Sequence, residues 1–300
     1  MGTNQSAADV FGLLSDDTRV EILQAVARAQ SDAESMSAGP AELTFSEIYE
    51  RVDVDNTSKL SYHLTELSET FLRKEKGGYS FTHTGERVSR LILSENYGDV
   101  SPFEPIDADG TCLYCGGSSL QARLYYQFFT VQCTDCGRPV SGHAISPAQA
   151  RSREANELLQ SVKQRQAMEY RLVRRGICPE CAGTVDTEVR AIEDGPLPDA
   201  DPYLAIDRCS DCLRRYGAPL SYGVAYHPAS VAFHWERGED VTTKGMWEFH
   251  DRLAERRWTA ERRSTDPTEY EVVLRHGEDA FRCRLDATAS VRHTERVRRS

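Results

Sequence analysis

Residues 44–84 of this chain run TFSEIYERVDVDNTSKLSYHLTELSETFLRKEKGGYSFTHT, and their pattern predicts two short helices followed by a β-hairpin. Thr44 stands three residues before Glu47, which is the spacing of a capping box at a helix start. Ile48 and Val52 then recur at helical spacing and give the first helix one apolar face. The segment therefore opens with a capped amphipathic helix.

The second predicted helix has one apolar face and one polar face. The chain is expected to turn at Asp53, and Asp55 is predicted to cap the helix that follows. Leu60, Leu64 and Leu67 lie at positions i, i+4 and i+7, so they are expected to point into the protein.

The polar face carries hydroxyl groups, an aromatic ring and one cation, but no large aliphatic side chain. Such a face suits a helix in the DNA major groove, where base edges offer donors, acceptors and methyl groups. A solvated helix surface without a ligand is the alternative interpretation. The predicted DNA-reading residues are Ser58, Lys59, Ser61, Tyr62 and Thr65.

Two short strand signals follow, at residues 71–74 and 79–81, and they are joined by Glu-Lys-Gly-Gly. The two glycines permit a tight hairpin, and its basic residues would face a phosphate backbone. The predicted phosphate contacts are Arg73, Lys74 and Lys76. Together these elements predict a winged helix-turn-helix DNA-binding domain over residues 1–96.

Three stretches occur in this order: LSDDTR at residues 14–19, SYHL at 61–64 and FTHTG at 81–85. With the helices and hairpin between them, they resemble the ArsR-type winged-helix transcriptional regulators. The resemblance implies binding to double-stranded DNA and a homodimer made by the terminal helices. Metal-sensing members of that family carry cysteines on the first helix of the motif, and residues 46–52 hold none. Metal sensing at that helix is therefore not implied.

Cysteine spacing predicts two metal sites. Eight of the nine cysteines form four Cys-x-x-Cys pairs: Cys112/Cys115, Cys133/Cys136, Cys178/Cys181 and Cys209/Cys212. Seventeen residues separate the first two pairs and 27 separate the last two, where residues 193–202 form an inserted loop. Two such pairs complete a tetrahedral four-cysteine zinc site, so two structural zinc ions are expected. Disulfides are not expected in a reducing cytosol, and a redox pair would occur once rather than four times.

The remaining segments complete an α+β protein of several parts. Residues 97–110 are predicted as a linker, 111–145 and 177–222 as zinc ribbons, and 146–176 as a helical connector of one or two helices. Residues 223–300 are predicted as a small α+β unit, with helices at 227–236 and 243–254 before a four-stranded antiparallel sheet. Cys283, the ninth cysteine, alternates with Arg282 and Arg284 and is expected to be buried in a strand. This whole order resembles that of ArsR-like regulators of halophilic archaea.

The amino-acid composition indicates the cellular environment of the protein. The chain carries 36 basic and 47 acidic residues, net −11, with only five lysines and a mean hydropathy of −0.54. It has no signal-peptide pattern and no apolar run near the ~20 residues of a membrane helix, so a cytoplasmic protein is expected. Arginine in place of lysine, with excess acid, resembles proteins from salt-rich archaeal cytoplasm.

The first hundred residues are themselves acidic, with 17 Asp and Glu against 9 Lys and Arg, a net of −8. This balance argues against DNA binding. Three of the five lysines nevertheless lie in the second helix and the hairpin. In molar salt the Debye length falls to ~3 Å, so repulsion between distant charges is screened and DNA binding depends on local contacts.

The function predicted from these patterns is a sequence-specific DNA-binding transcriptional regulator with two structural zinc sites. One alternative is a zinc-ribbon module for protein or RNA interaction, whose winged helix packs against partners. Another is a metal- or redox-responsive sensor with one labile cysteine site. The sequence has no Gly-rich phosphate loop and no Ser/His/Asp order, so catalysis is not expected, and no small-molecule effector is indicated.

Overall fold

The computed structural model describes residues 6–32, 42–75, 77–100, 102–125, 128–192 and 199–298. The chain divides into two compact units, Met1–Asp99 and Val100–Ser300. Within the described residues the fold is mixed α+β, with four antiparallel sheets. None of its described helices is both long enough and apolar enough to cross a membrane.

The first unit is mostly helical. Its elements are α1 (Ala7–Gly12), α2 (Asp17–Asp32), α3 (Phe45–Tyr49), α4 (Thr57–Leu67), β1 (Leu72–Lys74), β2 (Tyr79–Phe81) and α5 (His83–Leu93). Its core packs Ile22 and Val26 of α2 against Ile48 of α3 and Leu60 and Leu64 of α4. The apolar faces predicted for α3 and α4 therefore point into one shared core.

Local capping determines where α3 and α4 begin. The Thr44 hydroxyl accepts a hydrogen bond from the Glu47 N–H at 3.3 Å, and the Glu47 carboxylate accepts from the Thr44 N–H at 2.8 Å. This is the predicted capping box. The predicted cap of α4 was wrong by one residue, because Asn56, not Asp55, has the extended backbone of an N-cap and accepts from the Lys59 N–H at 2.9 Å. Asp55 instead forms an ion pair with the Lys59 ammonium at 3.2 Å.

A two-stranded hairpin follows α4, in which Leu72 pairs with Phe81 and Lys74 with Tyr79. Gly78 in the turn has a φ of +153°, and an added Cβ would clash with the Leu43 carbonyl. Glycine is therefore needed here both for its backbone conformation and for the close approach of residue 43.

The second unit begins with a four-stranded sheet of order β3-β4-β5-β6. Its strands are β3 (Ile106–Ala108), β4 (Leu120–Tyr125), β5 (Phe128–Cys133) and β6 (Pro139–Ala144). Strand β3 lies inside residues 97–110, where a linker was predicted. Ile106 pairs with Ala122, and Val100 and Ala108 are buried in the core under this sheet, so part of that segment is structural.

The helical connector consists of two helices, α6 (Pro147–Arg151) and α7 (Ala155–Val173). The break falls at residues 152–154, where Glu154 takes the extended conformation that starts α7. A three-stranded sheet follows, of order β7-β8-β9, with β7 (Val185–Ala191), β8 (Tyr203–Cys209) and β9 (Arg215–Pro219). Of the inserted loop predicted between β7 and β8, residues 193–198 lie outside the described part of the chain.

Three short helices lead to the last sheet: α8 (Leu220–Ala225), α9 (Pro228–Trp235) and α10 (His250–Ala254). The helix predicted at residues 243–254 was wrong in its first half. There the chain forms 3₁₀ turns at Val241–Thr243 and Met246–Phe249, and a Cβ added at Gly245 would clash with the Trp247 ring. The sheet has the order β10-β11-β12-β13, with β10 (Trp258–Thr265), β11 (Thr268–His276), β12 (Asp279–Asp286) and β13 (Val291–Val297).

The cores of the second unit cross the segment boundaries drawn from sequence. Ala205 of β8 and Ala218 of β9 share one core with Phe249, Trp258 and Phe281. The first sheet shares another core with Leu158 and Val162 of α7 and with Trp247. Each of the two sheets that carry cysteines therefore shares its core with residues from other segments of the second unit. Cys283 is buried in β12, as predicted.

Candidate metal centres and an exposed helix face

The first cluster of cysteines lies at one end of the β4–β5 hairpin. The sulfurs of Cys112, Cys115, Cys133 and Cys136 lie within 4.8 Å of one another. Cys112 Sγ is 3.6 Å from Cys136 Sγ, and Cys115 Sγ is 3.6 Å from Cys133 Sγ. The β4–β5 pairing of Leu120 with Cys133 brings the two Cys-x-x-Cys turns to the same end of the sheet.

The second cluster is built in the same way on the β7–β8 hairpin. Cys178 Sγ is 3.6 Å from Cys212 Sγ, and Cys181 Sγ is 3.5 Å from Cys209 Sγ. All four sulfurs lie within 4.8 Å of one another. Val185 pairs with Cys209, as Leu120 pairs with Cys133 in the first cluster. The eight predicted cysteines thus fall into two clusters that could each hold a metal ion.

Sulfur spacing distinguishes a metal site from disulfides. A disulfide would place two sulfurs about 2.05 Å apart, and all nine cysteines are free thiols. A tetrahedral ion about 2.3 Å from each of four sulfurs would set them about 3.8 Å apart. The observed 3.5–3.6 Å separations are close to that value.

Each Cys-x-x-Cys turn closes in the same conformation. The residue after the second cysteine has a φ between +62° and +73° in all four turns: Gly116, Gly137, Ala182 and Leu213. Its N–H donates to the carbonyl of the first cysteine in three of these turns, at 2.9–3.0 Å. This bend turns backbone N–H groups toward sulfur, for example Gly183 toward Cys181 at 3.4 Å.

Donors of this kind stabilise thiolates, which are the form that binds metal. The Cys212 N–H lies 3.5 Å from Cys209 Sγ, and this bond lowers the pKa of Cys209 to about 7. At Cys115 and Cys212 desolvation and the neighbouring sulfurs outweigh the backbone donors and raise the pKa to about 12, so the proton is shared unevenly among the four sulfurs of each cluster. Cys283 belongs to neither cluster and lies buried in β12, where burial raises the pKa of its thiol to about 12. Cys283 is therefore an apolar core residue and no candidate ligand.

In the first unit, the polar face of α4 is exposed along its whole length. The five predicted DNA-reading residues, Ser58, Lys59, Ser61, Tyr62 and Thr65, are all exposed. Arg73 and Lys74 of the hairpin are exposed as well, and Lys76 lies outside the described residues. His63, next to Tyr62 in the sequence, is buried.

A buried arginine that the sequence analysis missed supports this face. Tyr62 is 56% exposed, and its hydroxyl lies 3.5 Å from the Arg19 guanidinium of α2. The same guanidinium sits 5.8 Å from the Tyr62 ring centroid and pairs with Glu66 at 3.3 Å. The sequence does show an arginine within the apolar pattern of α2. It does not show that the partner of this arginine lies 43 residues away.

Acidic neighbours accompany most cations near this face. Lys59 pairs with Asp55 at 3.2 Å, and Arg73 lies 3.8 Å from Glu75. Lys74 differs: among the described residues it has no ion pair, and its ammonium lies 5.6 Å from the Tyr79 ring. Lys74 is therefore the cation here that no carboxylate of the described chain neutralises.

The second unit also contains a cavity of about 540 Å³ beneath α7 and α8. Apolar groups of Leu220, Val224 and Val291 line it, and Arg171 and Arg175 lie at its rim. Its volume falls in the range of small-molecule sites. The sequence pattern did not predict it, because its lining residues come from distant segments that run from Met168 to Val291.

A family model described as a domain of unknown function (DUF7347) matches residues 7–92. A second, also described as a domain of unknown function (DUF7351), matches residues 109–291 and so covers both cysteine clusters and most of the last sheet. No curated protein and no solved structure matches the chain. Because the second match spans more than half of its length, the chain belongs to the DUF7351 family.

Proposed function

We propose that this protein is a sequence-specific DNA-binding transcriptional regulator of the ArsR-like kind. Its first unit would be a winged helix-turn-helix, with α4 as the recognition helix and the β1–β2 hairpin as the wing. The observation that carries the proposal is the division of α4, whose leucines are buried while its hydroxyls and Tyr62 are all exposed. A helix of this composition offers the major groove a set of donors and acceptors.

The geometry of Tyr62 favours recognition over a merely solvated surface. A large aromatic side chain at 56% exposure, braced by a buried arginine, loses little conformational freedom when it meets a ligand. Rigid amphipathic side chains of this kind commonly anchor interfaces. Ser58 and Ser61 lie on the same face and would reach base edges or phosphates beside it.

We further propose that each cysteine cluster holds a zinc ion and that both ions are structural. Four thiolates at tetrahedral spacing suit Zn²⁺ and leave no position open for a water molecule. The ions would stabilise the two hairpins and perform no hydrolysis. Two zinc ions per chain are therefore expected.

We propose a homodimer as the DNA-binding form. Phe11 on α1 and Leu91 on α5 expose large apolar side chains on the terminal helices of the first unit. Exposed apolar groups on these helices are what a dimer contact would cover. The mass of the protein in solution tests this point directly.

The test of DNA reading begins with selection of bound duplexes from a random pool in concentrated potassium chloride. Tyr62→Ala and Ser61→Ala should each cost ~1–3 kcal/mol on the selected site and much less on a scrambled one. Tyr125→Ala is a matched control, since Tyr125 is a similarly exposed tyrosine of the second unit and should leave both affinities unchanged.

Lys74→Ala should behave differently from Tyr62→Ala. Removing a phosphate contact weakens all sequences alike and lowers the slope of log K against log salt by about one. Arg282→Ala removes one exposed charge from the second unit and should not change the slope. If no duplex is preferred at any salt concentration, or if Tyr62→Ala weakens both duplexes equally, the interaction-module alternative replaces this proposal.

A second candidate, regulation by metal loss or oxidation, is favoured by one observation. In each cluster two cysteines are buried and two are exposed, Cys115 and Cys136 in the first and Cys181 and Cys212 in the second. Exposed thiolates are within reach of oxidants and competing metals. Affinity for the selected duplex, measured before and after mild oxidation, separates the two: it should stay constant under the main proposal and change under the second.

A further inference from the structure

Three side chains from separate parts of the second unit converge beside the last sheet. His234 lies near the end of α9, Glu239 in the turn after it, and His276 at the end of β11. One ligand atom of each lies within 4.8 Å of the other two. His276 Nδ1 is 3.3 Å from a carboxylate oxygen of Glu239, a spacing suitable for two ligands of one ion.

The end of α9 determines the position of Glu239. Gly238 has a φ of +78°, and its N–H donates to the Trp235 carbonyl at 3.0 Å. The Glu239 N–H donates to the His234 carbonyl at 3.1 Å. These two bonds form a Schellman turn, which places Glu239 beside His234 although Glu239 lies five positions further along the chain.

His234 has a buried nitrogen without a partner. Its Nδ1 lies 2.9 Å from the Ser230 carbonyl oxygen, which accepts only, so Nδ1 carries the proton. Its Nε2 is then a lone-pair acceptor, and it is fully buried with no hydrogen bond to any described residue. Leaving such an acceptor unsatisfied is costly, and a bound ion would remove that cost.

Glu239 is held in the manner of a ligating carboxylate. Its second oxygen pairs closely with Arg252, whose guanidinium lies 4.7 Å from the Trp258 ring centroid and 5.1 Å from that of Phe249. Supporting contacts of this type orient metal ligands. The Arg252 charge also opposes a dication, so we expect weaker affinity here than at the cysteine clusters.

We propose that His234, Glu239 and His276 form a third metal site, for a borderline divalent cation such as Zn²⁺ or Ni²⁺. Two imidazoles and one carboxylate are a ligand set that such ions accept, with one or more positions left to water. The side chains of His276 and Glu239 are 35% and 17% exposed, which provides a path from solvent. This site lies outside both cysteine clusters and goes beyond the proposed function.

The experiment is calorimetric titration of Zn²⁺ into full-length protein whose cysteine clusters are already loaded. One further binding event per chain is expected. His276→Ala removes a half-exposed ligand, and Glu239→Asp withdraws the carboxylate by one methylene while keeping a charge for Arg252. Each substitution should lower the affinity for this additional Zn²⁺ by tenfold to a hundredfold or more, because the loss of even a contact that only supports a ligand has an effect of that size.

His293→Ala is the matched control, because His293 is an exposed histidine of the same sheet outside the cluster. It should bind the additional Zn²⁺ as the unaltered protein does. Circular dichroism of each variant before titration shows that the fold is retained. If the loaded protein binds no further Zn²⁺, or if His276→Ala binds it as tightly as His293→Ala, the three side chains form only a buried polar network and the proposal is wrong.

Discussion

At the scale of single residues, the second unit contains buried polar groups that hold segments together. Asp201 is fully buried before β8, and its carboxylate accepts from the Ser221 N–H at 2.8 Å and the Tyr203 N–H at 3.3 Å. It thereby joins the start of β8 to the start of α8. Burial of the charged form raises the pKa of Asp201 to about 6 despite these donors.

This shift predicts a pH dependence of stability. The unfolded carboxyl releases its proton near the ordinary aspartate pKa of 3.8 and the folded one near 6, so the folded state binds more protons between those values. The stabilisation is complete below about pH 4 and is lost as the pH rises through 6, by about 3 kcal/mol. The Asp201→Asn variant cannot ionise at this position. Between pH 4 and pH 7 its free energy of unfolding should therefore rise, relative to that of the unaltered protein, by up to about 3 kcal/mol.

Urea denaturation of both proteins at each pH measures the difference. Metal loss at low pH affects both alike and cancels from the comparison. A difference that stays constant across this pH range would show that Asp201 titrates normally in the folded protein.

At the scale of elements, the four Cys-x-x-Cys turns share one backbone conformation but not one residue type. Gly116 and Gly137 adopt positive φ without strain, whereas Ala182 and Leu213 adopt it with a Cβ atom present. An added Cβ at Gly116 would meet no atom within 4 Å, so a substitution there tests the backbone conformation alone.

Exchanging the residue types should therefore have opposite effects. Gly116→Ala should lower the free energy of unfolding by about 1 kcal/mol, because alanine disfavours this φ. Leu213→Gly removes a side chain that is 56% exposed, so little burial is lost and the strain is relieved. It should leave stability unchanged or raise it by up to ~1 kcal/mol. Denaturant midpoints of the two variants measure these changes in stability. If Leu213→Gly lowers the midpoint, the Leu213 side chain makes stabilising contacts that its exposure does not indicate.

At the scale of the whole molecule, the shared cores of the second unit predict that metal removal spreads beyond the hairpins. Cys112 and Cys133 belong to the core that contains Trp247, while Cys178 and Cys209 pack with Val173 and Val185. Without an ion, four thiolates or thiols about 3.6 Å apart lose their common partner. The first unit contains neither cluster and should keep its structure.

The three tryptophans make this measurable, since Trp235, Trp247 and Trp258 all lie in the second unit. Elemental analysis should find about two zinc ions per chain, or up to three if the histidine site is also filled. Chelation under reducing conditions should shift tryptophan emission to the red, because Trp247 and Trp258 become exposed. Amide exchange in α2 and α4 should remain slow. Unchanged emission after complete metal removal would contradict a structural role for the ions.

The sequence alone determined the features that depend on neighbours a few residues apart. The capping box at Thr44 follows from the Thr-x-x-Glu spacing at a helix start. The buried leucines of α4 and the alternation around Cys283 follow from periods of 3.6 and 2. The pairing of the cysteines into two sets was also predictable, because hairpins of suitable length lie between the pairs. The DNA-reading role of α4 remains a prediction.

Only the tertiary structure decided what distant segments form together. Arg19 meets Tyr62 across 43 residues, and His276 joins His234 across 42, because the packing of a helix on another helix or a sheet brings them together. The shared cores of the second unit have the same origin. Periodicity shows which face of an element is apolar but not which other element covers it, since many apolar faces are chemically equivalent. Complementary shape determines which faces pack together, and the shapes of the packed surfaces exist only in the folded molecule.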